Sequence, residues 1–290
     1  MKEGDRMNIR LTVVILTKNE SIHIQRAINN VKGWADHIMI LDSYSDDNTV
    51  QLAEELGAQI IFRKFDNYKN QRQYAIDYCK NLTEWMFFLD ADEYLLEALK
   101  GEIKAIIGNK SVDGYYMPRR LIFMGKWIKY GGYYPTYFLR LFRPKLASVD
   151  REINEHVRVQ GVVKMLKHDL VDENLKGTHF WIEKHNQYAT REAQSLIIAK
   201  ATKNRKIRMK GLMTTVQSER KKWIRDNVWN YLPLLLKPFV YFMYRYFLRL
   251  GFLDGREGLV FHFLQGCWFQ FLIDVKYLEK IKTNKVVTEA

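Results

Sequence analysis

The sequence predicts an α/β protein, with a Rossmann-like, mostly parallel sheet, helices on both faces and a helical C-terminal extension. Three observations carry that prediction. Short apolar runs alternate with helix-patterned stretches through the first 90 residues, the rhythm of a parallel sheet with crossover helices. Each of the main runs is followed by a polar or acidic cluster. The 290 residues are 47% hydrophobic and 14% aromatic, enough to bury a full core in one large domain or two modest ones.

The elements follow in order. Leu11–Leu16 (LTVVIL) reads as a buried strand, then a loop, TKNES, and a helix from about His23 to Val31. His37–Leu41 (HIMIL) is a second strand, and Asn48–Leu56 a second helix closed by Gly57. Ala58–Phe62 is a third strand, Asn70–Lys80 a third helix, and Trp85–Leu89 (WMFFL) a fourth strand. Right-handed crossovers place the C-terminal ends of these strands on one edge of the sheet, where open α/β sheets bind ligands. That edge gathers Thr17-Lys18-Asn19-Glu20, Asp42 to Asp47, Arg63-Lys64, and Asp90-Ala91-Asp92-Glu93. No Gly-x-Gly-x-x-Gly follows the first strand and no P-loop appears, which disfavours NAD enzymes and P-loop ATPases.

At a strand end, residues i and i+2 point the same way, so Asp90 and Asp92 can share a target. Two carboxylates aimed at one point repel unless a cation lies between them, and Mg2+ or Mn2+ commonly joins carboxylates to substrate phosphates. The bland alternative is an ordinary acidic surface loop. Asp42 ends a buried strand, where a carboxylate can accept from a base or ribose. Asp46 and Asp47 read instead as caps for the second helix.

Two cysteines, Cys79 and Cys267, exclude a disulfide scaffold or thiolate zinc cluster. The charged start, MKEGDRMNIR, lacks a signal-peptide pattern, so a cytoplasmic chain is expected. His168, His179 and His185 match no zinc spacing. Trp181 and Tyr188 suit either an acceptor-sugar platform or a core.

The charge is divided. Residues 1–110 hold 14 Lys/Arg against 17 Asp/Glu, a net of −3, whereas residues 111–290 carry a net of +16. Lys200–Arg225 contains ten Lys/Arg and one glutamate, a pattern suited to anionic lipid or to RNA. No nucleic-acid reading motif accompanies it, and aromatics follow from Trp223 to Phe247, so a membrane surface is expected and nucleic acid is not. The longest uncharged stretch near the C-terminus, 258–273, has 16 residues, short of the roughly 20 that a span requires. Residues 228–250 interleave aromatics with Lys237, Arg245 and Arg249, as a helix lying in the headgroup layer does; a buried helix pair is the alternative.

Leu11–Ser21, Leu41–Val50, Tyr68–Ala75 (YKNQRQYA) and Phe88–Tyr94 (FLDADEY) together resemble family 2 glycosyltransferases. Leu139–Pro144 (LRLFRP), Ile153–Val157 (INEHV) and Gly251–Gly255 (GFLDG) resemble the subgroup that builds lipopolysaccharide core and related lipid-linked glycans. The resemblance covers roughly residues 10–280. It implies the GT-A fold, inversion at the anomeric carbon, a nucleotide-sugar donor (UDP above GDP or dTDP) and a divalent Mg2+ or Mn2+. It further implies that Thr17, Asn19 and Glu20 line the nucleoside pocket, Asp42 contacts the base and Arg72 reaches the diphosphate or base. Asp90, beside Ala91, would touch ribose or metal, and Asp92 would ligate the metal. The implied division is a donor half over 10–110, an acceptor and catalytic half over 111–190, and a membrane-contacting extension over 191–290.

Inverting transfer needs one carboxylate to deprotonate the acceptor hydroxyl. Glu155 is the candidate, with a salt bridge to Arg151 or Arg158 as its alternative role. The subgroup pattern has His-Glu where this chain has Asn154-Glu155, and His156 follows directly. Arg140, Arg143 and His156 are candidates for phosphate or acceptor contact. A nucleotidyltransferase is the rival enzyme class, but its glycine-rich phosphate loop is absent from TKNES. A non-catalytic sheet domain that binds membrane or RNA would leave four polar strand ends unexplained.

Overall fold

The apolar runs become strands because both faces of the sheet are covered, so no position along them needs to be polar. In the computed structural model, which describes residues 10–149, 157–201 and 233–289, β1 (Leu11–Thr17) pairs in parallel with β2 (His37–Asp42) on one side and β4 (Trp85–Asp90) on the other. β3 (Gln59–Phe62) lies outside β2, also parallel. The chain thus winds outward from β1 in one direction and then returns to its other side, which places a topological switch point between β1 and β4.

Alternate residues of β4 divide between two cores. Trp85, Phe87 and Leu89 pack with α1 (Ser21–Val31), α2 (Thr49–Glu55) and α4 (Glu97–Ile106). Met86 and Phe88 pack on the other face with Ala75, Ile76 and Cys79 of α3 (Tyr68–Cys79). The predicted helices and strands are thus present, with ends shifted by one or two residues. Helix α3 begins earlier than expected because Asn67 accepts from the Asn70 N–H and caps it.

The second part of the sheet runs against the first. β8 (Tyr137–Phe142) is antiparallel to β4, and β6 (Gly114–Phe123) is antiparallel to β8. Next come β12 (Leu170–Glu173), parallel to β6, and β5 (Glu93–Leu95) at the edge. Two short strands, β7 (Lys126–Trp127) and β11 (Val163–Met165), flank β6. β9 (Ala147–Val149) and β10 (Val157–Val159) form a separate pair.

The described residues fall into two compact units, one within Met1–Lys129 and Tyr133–Leu175, the other within Tyr130–Gly132 and Lys176–Ala290. The first holds the sheet. The second is helical: α5 (Gly177–Ala201), α6 (Lys237–Met243), α7 (Gly255–His262) and α8 (Phe269–Glu289). Ala189 of α5 meets Phe269 and Ile273 of α8 in its core.

The GFLDG segment grips a short loop of the same unit. Asp254 Oδ2 accepts the Tyr130 N–H at 3.0 Å, the Arg249 carbonyl accepts the Gly131 N–H at 2.9 Å, and Arg245 Nε donates to the Gly131 carbonyl at 2.8 Å. Gly131 sits at φ +67°, and a Cβ there would lie 2.1 Å from the His262 ring, so only glycine fits. The uncharged 258–273 stretch belongs to a longer helical run, Gly251–Lys282, that is long and apolar enough to cross a membrane by length and composition.

Candidate active site

The carboxyl ends of β1 and β2 are neighbours, so their last residues, Thr17 and Asp42, lie side by side. Thr17 Oγ1 donates to Asp42 Oδ2 at 2.7 Å. Ser45 donates its N–H to Asp42 Oδ1 and its hydroxyl to Oδ2, each at 2.7 Å. Asp42 is fully buried, and both of its oxygens are engaged by this loop. The Asn19 N–H then donates to Ser45 Oγ, and Asn19 Oδ1 accepts the Asp46 N–H. Asn19 holds φ +57°, a left-handed conformation that asparagine adopts more readily than most residues.

Asp47 ties the starts of two helices together. It accepts from Thr49 N and Thr49 Oγ1 at the head of α2, and from Ser21 N at the head of α1. Burial acts to raise its pKa, but the bonds from Thr49 and Ser21 outweigh it and hold the carboxyl at about 2. Asp47 therefore braces the starts of α2 and α1 from one position before the N-cap of α2, which is Asn48, while the side chain of Asp46 pairs with Lys18 instead of capping. Glu20 Oε2 lies 2.7 Å from His23 Nδ1, while His23 Nε2 accepts the Leu175 N–H at 2.8 Å. That second bond assigns the His23 proton to Nδ1, from which it donates to Glu20.

Beside them, at the end of β4, lies a charged cluster. Arg140 on β8, only 4% exposed, donates at 2.5 Å to both Asp90 Oδ2 and Glu93 Oε1. Arg72 on α3 reaches Asp90 Oδ1 at 3.2 Å with its guanidinium over the Phe88 ring. Glu93 Oε2 accepts the Asp90 N–H at 2.9 Å. Burial alone would raise the Asp90 pKa, but Arg140 and Arg72 hold it well below the usual carboxylate range. Burial, aided by the charges of Asp90 and Asp172, pushes Glu93 up against the pull of Arg140.

Asp92 is half-buried on the next turn, after the buried Ala91. Its Oδ2 accepts from Asn174 at 2.9 Å, and its carbonyl accepts from Arg26 and from the Glu173 N–H. Among the described residues nothing donates to Asp92 Oδ1. Arg26 also pairs with Glu173 at 2.7 Å, fastening α1 to the end of β12. Among the described residues, no three His, Cys, Asp or Glu side chains cluster as a ready-made metal cage.

Thr17, Asn19 and Asp42 thus form one network, and Arg72, Asp90 and Arg140 another. Glu20 and Asp92 occupy the same sheet edge. Arg140, expected to contact a phosphate or the acceptor, directs its Nη2 onto the carboxylates of Asp90 and Glu93. Arg143 is not brought to this edge. It stacks over Trp85 at the start of β4 and pairs with Glu84 at 2.8 Å, because an antiparallel β8 carries its two arginines towards opposite ends of β4. Glu155 and His156 lie outside the described residues. On either side of that segment, Val149 pairs with Val157, and the Val149 N–H donates to Gln73 Oε1 on α3, next to Arg72 in sequence.

Glu93, Arg26, Glu173 and Asn174 escaped the sequence reading as site residues. Only Glu93 carried a signal, as the last residue of the DADE cluster.

Residues 12–163 match the family described as Glycosyl transferase family 2. The chain is 30% identical over 201 residues to an uncharacterized glycosyltransferase of Rickettsia conorii, covering 65% of this chain and 71% of that protein. It is 41% identical over 106 residues to an uncharacterized glycosyltransferase of Rickettsia bellii, covering 37% of this chain and 35% of that one. The chain therefore matches only about a third of the length of the Rickettsia bellii relative. Glucosyl-3-phosphoglycerate synthase of Mycobacterium tuberculosis, solved with Mn2+, UDP and glucosyl-3-phosphoglycerate, shares 16% identity at a TM-score of 0.33 over 39% of this chain and 44% of that one.

Proposed function

Because this chain belongs to glycosyl transferase family 2, a family of transferases with the GT-A fold, we propose that it moves a sugar from a nucleotide-sugar, a UDP-sugar, to a hydroxyl of a lipid-linked or lipopolysaccharide-type glycan, with inversion and a divalent cation. The observation that carries the reading is the placement of Arg72, Asp90 and Asp92 at the β1/β4 switch point, beside the Thr17–Asp42 network.

On this reading the Thr17–Asp42–Ser45–Asn19 network holds the rim against which the base lies, with Asp42 acting through the turn that it organises. Asp90 faces the ribose and keeps its charge through Arg140. Arg72, on the more open side of Asp90, turns to the diphosphate. The donor set suits a hard cation: Asp92 offers one oxygen that no described residue occupies, and Mg2+ or Mn2+ is often held by one or two carboxylates plus substrate phosphates. Such an ion, when bound, neutralises charge building on the departing diphosphate.

Glu155 is the base that takes the acceptor proton. Its segment begins and ends on β9 and β10, and β9 is bonded to the arginine-bearing helix α3. With Arg72 donating to the diphosphate, no acid is needed for the leaving group. Residues 10–110 supply the donor half and 111–190 the base and acceptor side. Residues 191–290, with their basic run and apolar helical run, hold the enzyme on the anionic inner face of the cytoplasmic membrane, where a lipid-linked acceptor would be met.

The test is thermal unfolding of the purified chain with UDP, GDP or dTDP, each with and without Mn2+. A ligand at about 100 times its Kd stabilises by roughly 2.7 kcal/mol, a shift of a few degrees. A shift given by UDP and dependent on Mn2+ is expected. No shift with any nucleotide would overturn the donor assignment.

A further inference from the structure

Among the described residues of the helical unit, exposed large apolar side chains concentrate in one stretch, from Leu236 to Phe263, and nearly stop beyond it. Along α6 and the π-helical turn that continues it to Leu248, the exposed Leu236, Val240, Met243 and Phe247 recur every three or four residues, a single helix face. Leu248, 75% exposed, leads into a turn whose tip carries Leu250, Phe252 and Leu253, all exposed. The chain then reverses into α7, where Leu259 is exposed, and Phe263, exposed one helical turn later, opens the π-helical turn that follows.

The opposite side of this hairpin is committed to protein. Tyr246 meets His262 at 6.2 Å, and Arg245, Asp254 and His262 are buried in the grip on Tyr130 and Gly131. Farther along the same helical run, Asp274 is fully buried, pairs with Lys237 at 2.7 Å and accepts the Leu235 N–H. The apolar run Gly251–Lys282 therefore keeps a buried carboxylate and an inward face occupied by its own unit, an arrangement unsuited to a helix surrounded by lipid.

We propose that this hairpin is an in-plane membrane anchor. Its tip, Phe247 to Leu253, would enter the boundary between headgroups and acyl chains of an anionic bilayer without crossing it. The partner follows from charge. Arg249 and Arg256 are exposed at the turn, and the ten Lys/Arg of Lys200–Arg225 precede the hairpin in sequence. An apolar tip flanked by cations is complementary to an anionic lipid surface, with acyl chains for the tip and headgroups for the arginines. The inference rests on the membrane reading given above and specifies which surface makes the contact.

The experiment is flotation of the full chain with vesicles of phosphatidylcholine alone or of phosphatidylcholine and phosphatidylglycerol at 3:1. The wild type is compared with F247S/L248S/F252S/L253S, whose substitutions are all at exposed positions. The wild type is expected to float with the anionic vesicles, and the variant to bind at least tenfold less with an unchanged melting curve. Equal flotation of the two proteins would overturn the hairpin while leaving membrane association intact. Failure of the wild type to float with either vesicle would overturn the membrane reading itself, whatever the variant does. A wild-type dimer that becomes monomeric in the variant, without vesicle binding, would reassign the face to self-association.

Discussion

The guanidinium of Arg140 lies 2.5 Å from the carboxylate of Asp90, a residue fifty positions earlier in the chain. The same Nη2 is 2.5 Å from Glu93, which is 1% exposed, so one buried cation serves two carboxylates. The pairing explains why an acidic strand end can be tolerated inside the protein and still present Asp90 as an anion. It also separates the two acidic residues of the DAD segment: Asp90 is engaged by arginines, and Asp92 keeps an oxygen available.

Removing Arg140 should therefore do more than break one ion pair. Arg140→Met would leave Asp90 and Glu93 in contact without their shared counter-ion, and removing one partner of a buried ion pair costs roughly 3–5 kcal/mol. Glu93→Gln, which keeps an acceptor for Arg140 and leaves Arg140 paired with Asp90, should cost distinctly less. Urea unfolding of the two variants checks the order, and equal losses would refute it.

Asp92→Asn should leave the fold intact, since Asn174 and the backbone of Asp92 retain their places. It should abolish the Mn2+-dependent part of UDP stabilisation and lower transfer by at least 100-fold, about 2.7 kcal/mol at 1.36 kcal/mol per tenfold. Full activity in this variant would remove Asp92 from the cation site.

Glu155→Gln separates binding from chemistry. The UDP–Mn2+ shift should match the wild type, while kcat falls by about 10²–10⁴, the usual contribution of a general base. Unchanged kcat would move the base elsewhere in the chain.

The sequence made the first half of the sheet legible because β1, β2 and β4 are mostly apolar up to their last residues, and such short runs between helices are strands covered on both sides. The same rule located Thr17, Asp42 and Asp90, since residues at the carboxyl edge need only the strand ends to be placed. What it could not show was how the second half of the sheet returns. Arg140 and Arg143 stand three apart in LRLFRP and look equivalent as phosphate donors. Once β8 runs antiparallel to β4, one meets Asp90 and the other meets Glu84. Arg26 and Glu173 are 147 residues apart, and no local pattern announces such a pair. GFLDG was visible as a motif, but its purpose depends on Gly131, a glycine that looks like any other turn residue until His262 is placed against it.

Asp47 offers a pH-dependent test of how the donor rim is built. Its carboxyl is held at about 2 in the folded chain, below its ordinary value of 3.8, so the folded state favours the ionised form. A depressed acid contributes stability that is fully present above the unfolded value and is lost as pH falls towards the folded one. Asp47→Asn removes the contribution, which for a half-buried carboxylate accepting from the starts of two helices is about 1–2 kcal/mol near neutrality, as for a helix-start acceptor. The stability gap between wild type and Asp47→Asn should hold constant from pH 7 to about 5, then narrow between pH 4 and 2. Chemical unfolding of both proteins at intervals across that range measures it. A gap that stays constant down to pH 3 would show that the bonds to Thr49 and Ser21 do not depend on the charge of Asp47, and that neutral hydrogen bonding alone joins α1 to α2.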